Sequence, residues 1–339
     1  MVLDPRYDVE CPYEGGASFA ATLRECSVTA TSWYGVGHAV GTAMRDTIQT
    51  CVRSNSTIAQ LEAWAATPDG AVVVGGFRAL HEEVYPELME QVRGIADGAE
   101  IPFQQVMLNN MVQELSQRLQ LTTHADYADN SQSKQEQGCT DFHGLSRSFH
   151  LSAWGHNEDA GAGGYIVHCD LKRTDGLGTV QYSAFAYPGC IAGWAWGANA
   201  NGVVQSINAL SATITAEEIS TPGLCANFVA ADVLQASDLA DAIKRATVDG
   251  QAGGQHFNLA STTDPDLHVS IETSPTGCSI VRMCPPDESH SETGFWYGHA
   301  NAYTRLTENE AKVGDSLVSS VQRVARCKTL GDELQQSSR

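Results

Sequence analysis

Basic residues are scarce in this 339-residue chain: 20 Lys and Arg stand against 40 Asp and Glu, a formal charge of −20 at pH 7. A surface of that sign repels polyanions, which argues against nucleic acid or an anionic membrane as a partner and suits a cationic amine ligand. Long apolar runs are missing too. None approaches the ~18 residues of a membrane span, and the N-terminus shows neither the basic start nor the apolar stretch of a secretory signal. A cytoplasmic protein is the expectation. The 10 cysteines are scattered and form no CxxC pair, so free and mostly buried thiols are expected rather than a disulfide framework. No GxSxG elbow, no phosphate-cradling GxxxxGK[ST] and no HExxH is present, and the Gly161–Gly164 turn lacks the third glycine of a dinucleotide loop. His168, Cys169 and Asp170 cannot converge on a metal from one strand, because alternate side chains face opposite sides. Neither metal nor cofactor is expected.

What the chain does have is a change of period in mid-sequence. Val36, Val40, Met44, Ile48 and Val52 repeat every four residues and predict a helical stripe. Leu61–Ala66, Phe77–Ala99 and Phe103–Leu115 predict further helices, the second ending near Asp97-Gly98 on a glycine cap. A polar stretch over 123–137, rich in Asp, Asn, Ser and Gln, predicts an exposed loop. After it the period falls to two. Strands are predicted at Phe149–Ala153, Tyr165–Cys169, Val180–Ala186, Gly193–Ala198 and Val203–Ile207. Helices follow at Leu224–Leu234 and Leu239–Ala246, with Ser237-Asp238 as an N-cap for the second. Phe257–Ala260, His268–Glu272, Ser279–Met283 and Phe295–Tyr303 return to strand, and Gly314–Leu330 closes in a helix. The order predicts an α+β fold with antiparallel sheets between helical layers.

Cys139 stands where the loop meets the first strand, directly after Gly138. A cysteine nucleophile needs a base for its proton and donors for an oxyanion. Cutting the bond before the cysteine supplies the base, because a free α-amine has a pKa near ~8 and can shuttle the thiol proton. Such a cut needs an accessible loop, a small residue before the nucleophile and a strand behind it. Gly138, the 123–137 loop and the strand after Cys139 meet those needs. An inert buried thiol is the alternative that composition leaves open.

Gly138-Cys139-Thr140 followed by Gly155-His156-Asn157-Glu158-Asp159 resembles the isopenicillin-N acyltransferase family of N-terminal-nucleophile cysteine hydrolases. The likeness extends upstream to Gly94–Glu100 and Val106–Asn109. Downstream it takes in Gly197–Val204 with Ile207–Leu210, Ile271–Pro275, and Ala300–Tyr303. The acidic motif and Ser206-Ile207-Asn208 are most similar to the animal branch that hydrolyses N-β-alanyl-dopamine and carcinine. The resemblance implies a four-layer αββα sandwich, cut at Gly138–Cys139 into a 1–138 α chain and a 139–339 β chain that stay together as a heterodimer. It implies Cys139 as nucleophile, Asp159 as the carboxylate that orients the new α-amine, and Asn301 as oxyanion donor, with Asn208, Asn157 and Thr140 as pocket or supporting residues. The implied reaction is amide hydrolysis of a small-molecule acyl amide. Transfer from acyl-CoA to an amine and a non-catalytic, C-terminally shortened paralogue stand as alternatives. Two departures accompany the likeness: Ala302 stands where the family has His, and Arg305, Arg323 and Arg326 do not align with the family's active-site arginine, which lies beyond the final helix.

Overall fold

A computed structural model describes residues 23–123, 138–146, 151–159, 163–174, 176, 178–264, 267–283 and 295–337. The predicted 123–137 loop falls almost wholly outside the described residues, as does the start of the strand predicted at Phe149.

The helical third begins with strand β1 (Arg24–Ala30), which the apolar pattern does not reveal, and runs through helices α1 (Trp33–Ala43), α2 (Arg45–Ser54), α3 (Ser56–Ala65), α4 (Pro68–Val84), α5 (Pro86–Ala99), α6 (Phe103–Asn110) and α7 (Val112–Thr123). Two stripes that read as single helices are broken. Met44, at φ −110° and ψ 17°, separates α1 from α2. Pro86 has no N–H to continue α4 and forces Tyr85 out of the helical region, to φ −126° and ψ 53°. The glycine cap expected near Gly98 is not used; Glu100 ends α5 in the left-handed region at φ 56°. Gly98 does something else. Gly37 and Gly41 on α1 face Gly94 and Gly98 on α5, and a Cβ at any of the four would run into the backbone of the other helix. The two backbones therefore cross in contact, a close approach that small residues spaced by four permit.

The strands are β2 (Cys139–Ser146), β3 (Leu151–Glu158), β4 (Tyr165–Lys172), β5 (Thr179–Ala186), β6 (Trp196–Asn199) and β7 (Val203–Leu210). After helices α8 (Ala216–Ser220), α9 (Ala226–Val233) and α10 (Leu239–Ala246) come β8 (Gly254–Ser261), β9 (His268–Ser274), β10 (Gly277–Met283) and β11 (Phe295–His299), and then the long helix α11 (Gly314–Ser337). Eight strands form one sheet in the order β1-β4-β5-β6-β7-β8-β9-β10, and β11-β2-β3 form a second. Among the described strands every pairing is antiparallel except β1 with β4.

Period two explains the layering. Val203, Ile207, Phe257, Leu259, Val269 and Ile271 point to one face of the large sheet and share a core with the helices. The alternate residues, Ser206, Asn208, His256, Asn258, Ser270 and Glu272, are also fully buried, because the small sheet covers them. That sheet contributes Asp141 and His143 from β2 and His299 from β11. Helix α11 covers its far side, packing on β11 and β2. The layers run helices, large sheet, small sheet, helix, so the predicted α+β architecture is borne out. His168 and Asp170 lie half-buried on one face of β4, with Cys169 buried on the other. No helix among the described residues is long and apolar enough to cross a membrane.

Gly98→Val should lower stability by about 3 kcal/mol or more, since a packed backbone has nowhere to move. Gly75→Ala on α4, where a Cβ meets open space, should raise it by ~0.5–1 kcal/mol. Urea midpoints of the two variants and the parent check both signs.

Candidate active site

Residue Cys139 is the first of β2, and its register fixes what surrounds it. It sits opposite Glu158 on β3, with Thr140 opposite Asn157. One step back, the Asp159 N–H donates to the Gly138 carbonyl oxygen at 2.7 Å. Gly138 and Asp159 are thus a hydrogen-bonded pair, and Cys139 and Glu158 the closer, non-hydrogen-bonded pair, whose Cβ atoms lie ~4.5–5.5 Å apart on the same face.

Asn301, in the turn after β11, bridges the nitrogen and the sulfur of Cys139. Its Oδ1 accepts the Cys139 N–H at 2.8 Å, and its Nδ2 donates to Cys139 Sγ at 2.9 Å and to the Ala209 carbonyl at 3.1 Å. The thiol lies 3.5 Å from the Ile207 carbonyl, its acceptor. Arg323 on α11 locks this arrangement: Nη1 donates to the Cys139 carbonyl and to Thr140 Oγ1, both at 2.6 Å, and Nη2 to Asn301 Oδ1 at 3.1 Å. Arg323 is not among the expected site residues, yet it reaches the site. The signal for it is a spacing of four, three, four and four: Ser316, Ser320, Arg323, Cys327 and Gly331 form one stripe of α11. Ser320 and Gly331 are buried, and Cys327 meets Gly298 of β11.

Behind Asn301 the backbone is held by one carboxylate. Glu272, fully buried, accepts from His299 Nε2, the N–H groups of Thr304, Arg305 and Leu306, and Thr304 Oγ1, at 2.6–3.0 Å. Burial alone would raise its pKa; those donors hold it far below the usual carboxylate range. His299 and His256 stack with ring centroids 3.4 Å apart, and Asn208 Oδ1 lies within 2.9 and 3.2 Å of their Nδ1 atoms. The Asn208 Nδ2 is buried, left over by these contacts, and lies beside the Cys139 thiol.

Burial, and then the charge of Glu158, push the Cys139 thiol up to about 12, against the amides of Asn208 and Asn301 and the Ala209 N–H, which favour the thiolate. In the unbroken chain the thiol is therefore protonated at neutral pH. Glu158 is tied on both oxygens, to the Tyr187 hydroxyl at 2.5 Å and to His156 Nε2 at 3.0 Å. His156 Nδ1 meets buried Asp141 at 3.0 Å. Burial alone would lower the His156 pKa, but the bonds to Asp141 and Glu158 outweigh it and raise it to about 9, so an imidazolium separates two carboxylates.

Of the residues singled out in the sequence, Gly138, Cys139, Thr140, Asn208 and Asn301 converge. The Asp159 carboxylate does not. One residue beyond Glu158 it lies on the opposite face, exposed and bonded to Asn157 Nδ2 at 2.7 Å. Only its backbone N–H serves the site. Asn157 is exposed alongside it. A cavity of about 730 Å³ opens on Cys139, Glu158 and Asn301, and its opposite wall comes from Asn55, Gln113 and Glu114, upstream of Gly138. Among the described residues, Glu114 and Glu158 are the carboxyl side chains lining it, and no Lys, Arg or His does.

The His156 pair carries a linkage with a definite sign. Its folded pKa of about 9 lies above the ordinary 6.5, so its stabilisation is complete below pH ~6.5 and fades as pH rises through 9. Urea midpoints should fall by the equivalent of about 3 kcal/mol across that window, and His156→Gln should flatten the decline.

Residues 150–339 match the family model described as acyl-coenzyme A:6-aminopenicillanic acid acyl-transferase. A β-alanyl-dopamine/carcinine hydrolase from Drosophila melanogaster is 26% identical over 286 residues, covering 78% of this chain and 67% of that protein. The matched region holds every strand of the large sheet except β1, together with Asn208, Asn301 and Arg323, and the chain belongs to the acyl-coenzyme A:6-aminopenicillanic acid acyl-transferase family.

Proposed function

We propose that this chain is a self-processing cysteine amidohydrolase of the N-terminal-nucleophile type, in which Cys139 attacks first its own preceding peptide bond and then a substrate amide. The observation that carries the reading is the Asn301 side chain, which holds the Cys139 N–H and Sγ at once, while the Asp159 N–H polarises the Gly138 carbonyl. The nucleophile, the scissile amide and an oxyanion donor are together before any cut.

In the cut, Sγ bonds to the Gly138 carbonyl carbon, the carbon–nitrogen bond breaks, and the thiol proton passes to the leaving nitrogen of Cys139. Water then hydrolyses the thioester to a Gly138 carboxylate and a free thiol. The α-amine so made is the base for later turnovers: it takes the thiol proton, the thiolate attacks the substrate carbonyl, and the amine product leaves with that proton. Asn301 stabilises the oxyanion, and the buried Asn208 Nδ2 stands as a further donor beside it. The two pieces remain a heterodimer because the cavity is walled by both. The substrate is a short acyl amide of an amine. The relative acts on β-alanyl-dopamine and carcinine, and a cavity whose charged lining is acidic suits a cationic amide of that class. Acyl transfer, with an amine in place of water, is favoured by the name of the family. Acyl-CoA plus an amine separates the two readings by whether condensed product forms.

Intact mass of purified protein, beside Cys139→Ala, tests the self-cleavage. Two pieces meeting at 138/139 in the parent only are expected; one chain in both sinks the reading. Cut protein should release histamine from carcinine. Asn301→Ala should slow release by about 10²–10³, the loss of one oxyanion donor. Arg323→Gln, which frees Asn301 without deleting it, should slow release by less.

A further inference from the structure

A cut before Cys139 leaves a new charge that something must hold. The peptide N–H of Cys139 is neutral in the unbroken chain and satisfied by Asn301 Oδ1. Once cut, it becomes an amine with a pKa near ~8, largely an ammonium at neutral pH. The expected partner was the Asp159 carboxylate, and strand register rules that out: with side chains alternating, Asp159 is turned away from the face that carries the Cys139 side chain. Glu158 is on that face. It is the direct partner of Cys139 across β2 and β3, and both line the cavity.

Resting on the self-cleavage reading above, we propose that Glu158 is the positioning residue for the α-ammonium that cleavage creates on Cys139, with His156 and Tyr187 fixing its carboxylate. Glu158 is built for a fixed position. His156 clamps one oxygen from its own strand and is itself clamped by Asp141 of β2, while Tyr187, just after β5, clamps the other. Each oxygen keeps a free lone pair for an ammonium. Among the described residues, the groups that face Glu158 are Cys139 and Asp141 on β2, His156 on β3, Tyr187 and Cys190 beyond β5, and Glu114 of α7, which lines the same cavity. His156 is the cation among them, and it is shared with Asp141, so the Asp141–His156–Glu158 set keeps one net negative charge. The ammonium cancels it.

The sequence of charge states follows. Before the cut, Glu158 and burial both hold the thiol protonated. After it, the ammonium pairs with Glu158, and the fraction that loses its proton is the base that takes the thiol proton. The carboxylate stabilises the ammonium and so sets the pH at which the base becomes available.

The test is the rate of Cys139 alkylation by iodoacetamide against pH, read on cut protein after quenching and trypsin digestion by the mass of the 139–147 peptide, in which Cys139 is the one cysteine. In Glu158→Gln the midpoint should move to lower pH by about one pH unit, since an opposite charge at this range shifts a pKa by at least that much. Glu158→Asp should fall between, and Asp159→Asn should leave the midpoint where it is. A Glu158→Gln chain that is folded by circular dichroism but stays uncut, while Glu158→Asp is cut, carries the same conclusion to the cleavage step, where the leaving nitrogen must become charged. A cut Glu158→Gln protein with an unmoved midpoint, or a midpoint moved by Asp159→Asn instead, overturns the proposal and leaves self-cleavage standing. An uncut parent overturns both.

Discussion

Two sheets meet here through polar side chains, and that constraint organises the molecule. Burying a hydroxyl, amide or imidazole costs several kcal/mol unless it is hydrogen-bonded, so a layer built from Asp141, His143, Ser206, Asn208, His256, Asn258, Ser270, Glu272 and His299 holds only in one mutual arrangement. An apolar layer tolerates sliding; this one does not. Asp141 alone accepts from Trp154 Nε1 and Ser206 Oγ and meets His156, tying β2 to β3 and to β7 of the other sheet. The position of Cys139, two residues before Asp141, is a consequence of that tie.

Protonation follows from the same burial. Within the layer, desolvation keeps His143 and His256 neutral, pulling the first down to about 3 and the second well below the ordinary range. Their rings then serve as ordinary hydrogen-bond partners: His143 Nδ1 meets His268 Nδ1 at 3.2 Å, and His256 Nε2 meets Ser270 at 2.7 Å. His156 differs because carboxylates flank it on both sides. One residue type thus supplies neutral cross-links inside the layer and a cation at its rim, beside the cavity.

The fold was legible in the sequence wherever period and burial coincide. Apolar residues at every second position of β7, β8 and β9 give the strands, and Asp238 caps α10 as its residue type predicts. The same alternation misleads about the other face, because a polar residue facing a second polar sheet looks no different from one facing water. Pairing partners such as Gly37 with Gly94 are far apart in the chain, so nothing local marks the crossing they make. β1 is hidden for a similar reason: at the sheet edge, Glu25, Ser27 and Thr29 give it a polar face, and Arg24 opens the other face ahead of Cys26 and Val28. At the site, Cys139 and Asn301 are legible from residue type and motif. Glu158 is legible only from register, since adjacent acids in a strand differ solely in which way they point. Arg323 hides because α11 presents its small and polar stripe inward and leaves Val318 and Val321 exposed, the reverse of an amphipathic reading.

The parallel pairing of β1 with β4 has a bearing on any chain broken after Gly138. β1 lies on the upstream piece and β4 on the downstream one, matched over seven positions from Arg24 to Ala30. The upstream piece is stitched in as an edge strand, so pulling it away would bare the backbone of β4 to whatever chain came next. A nicked molecule so joined is safer whole than parted, and the stitch works as a guard against clumping.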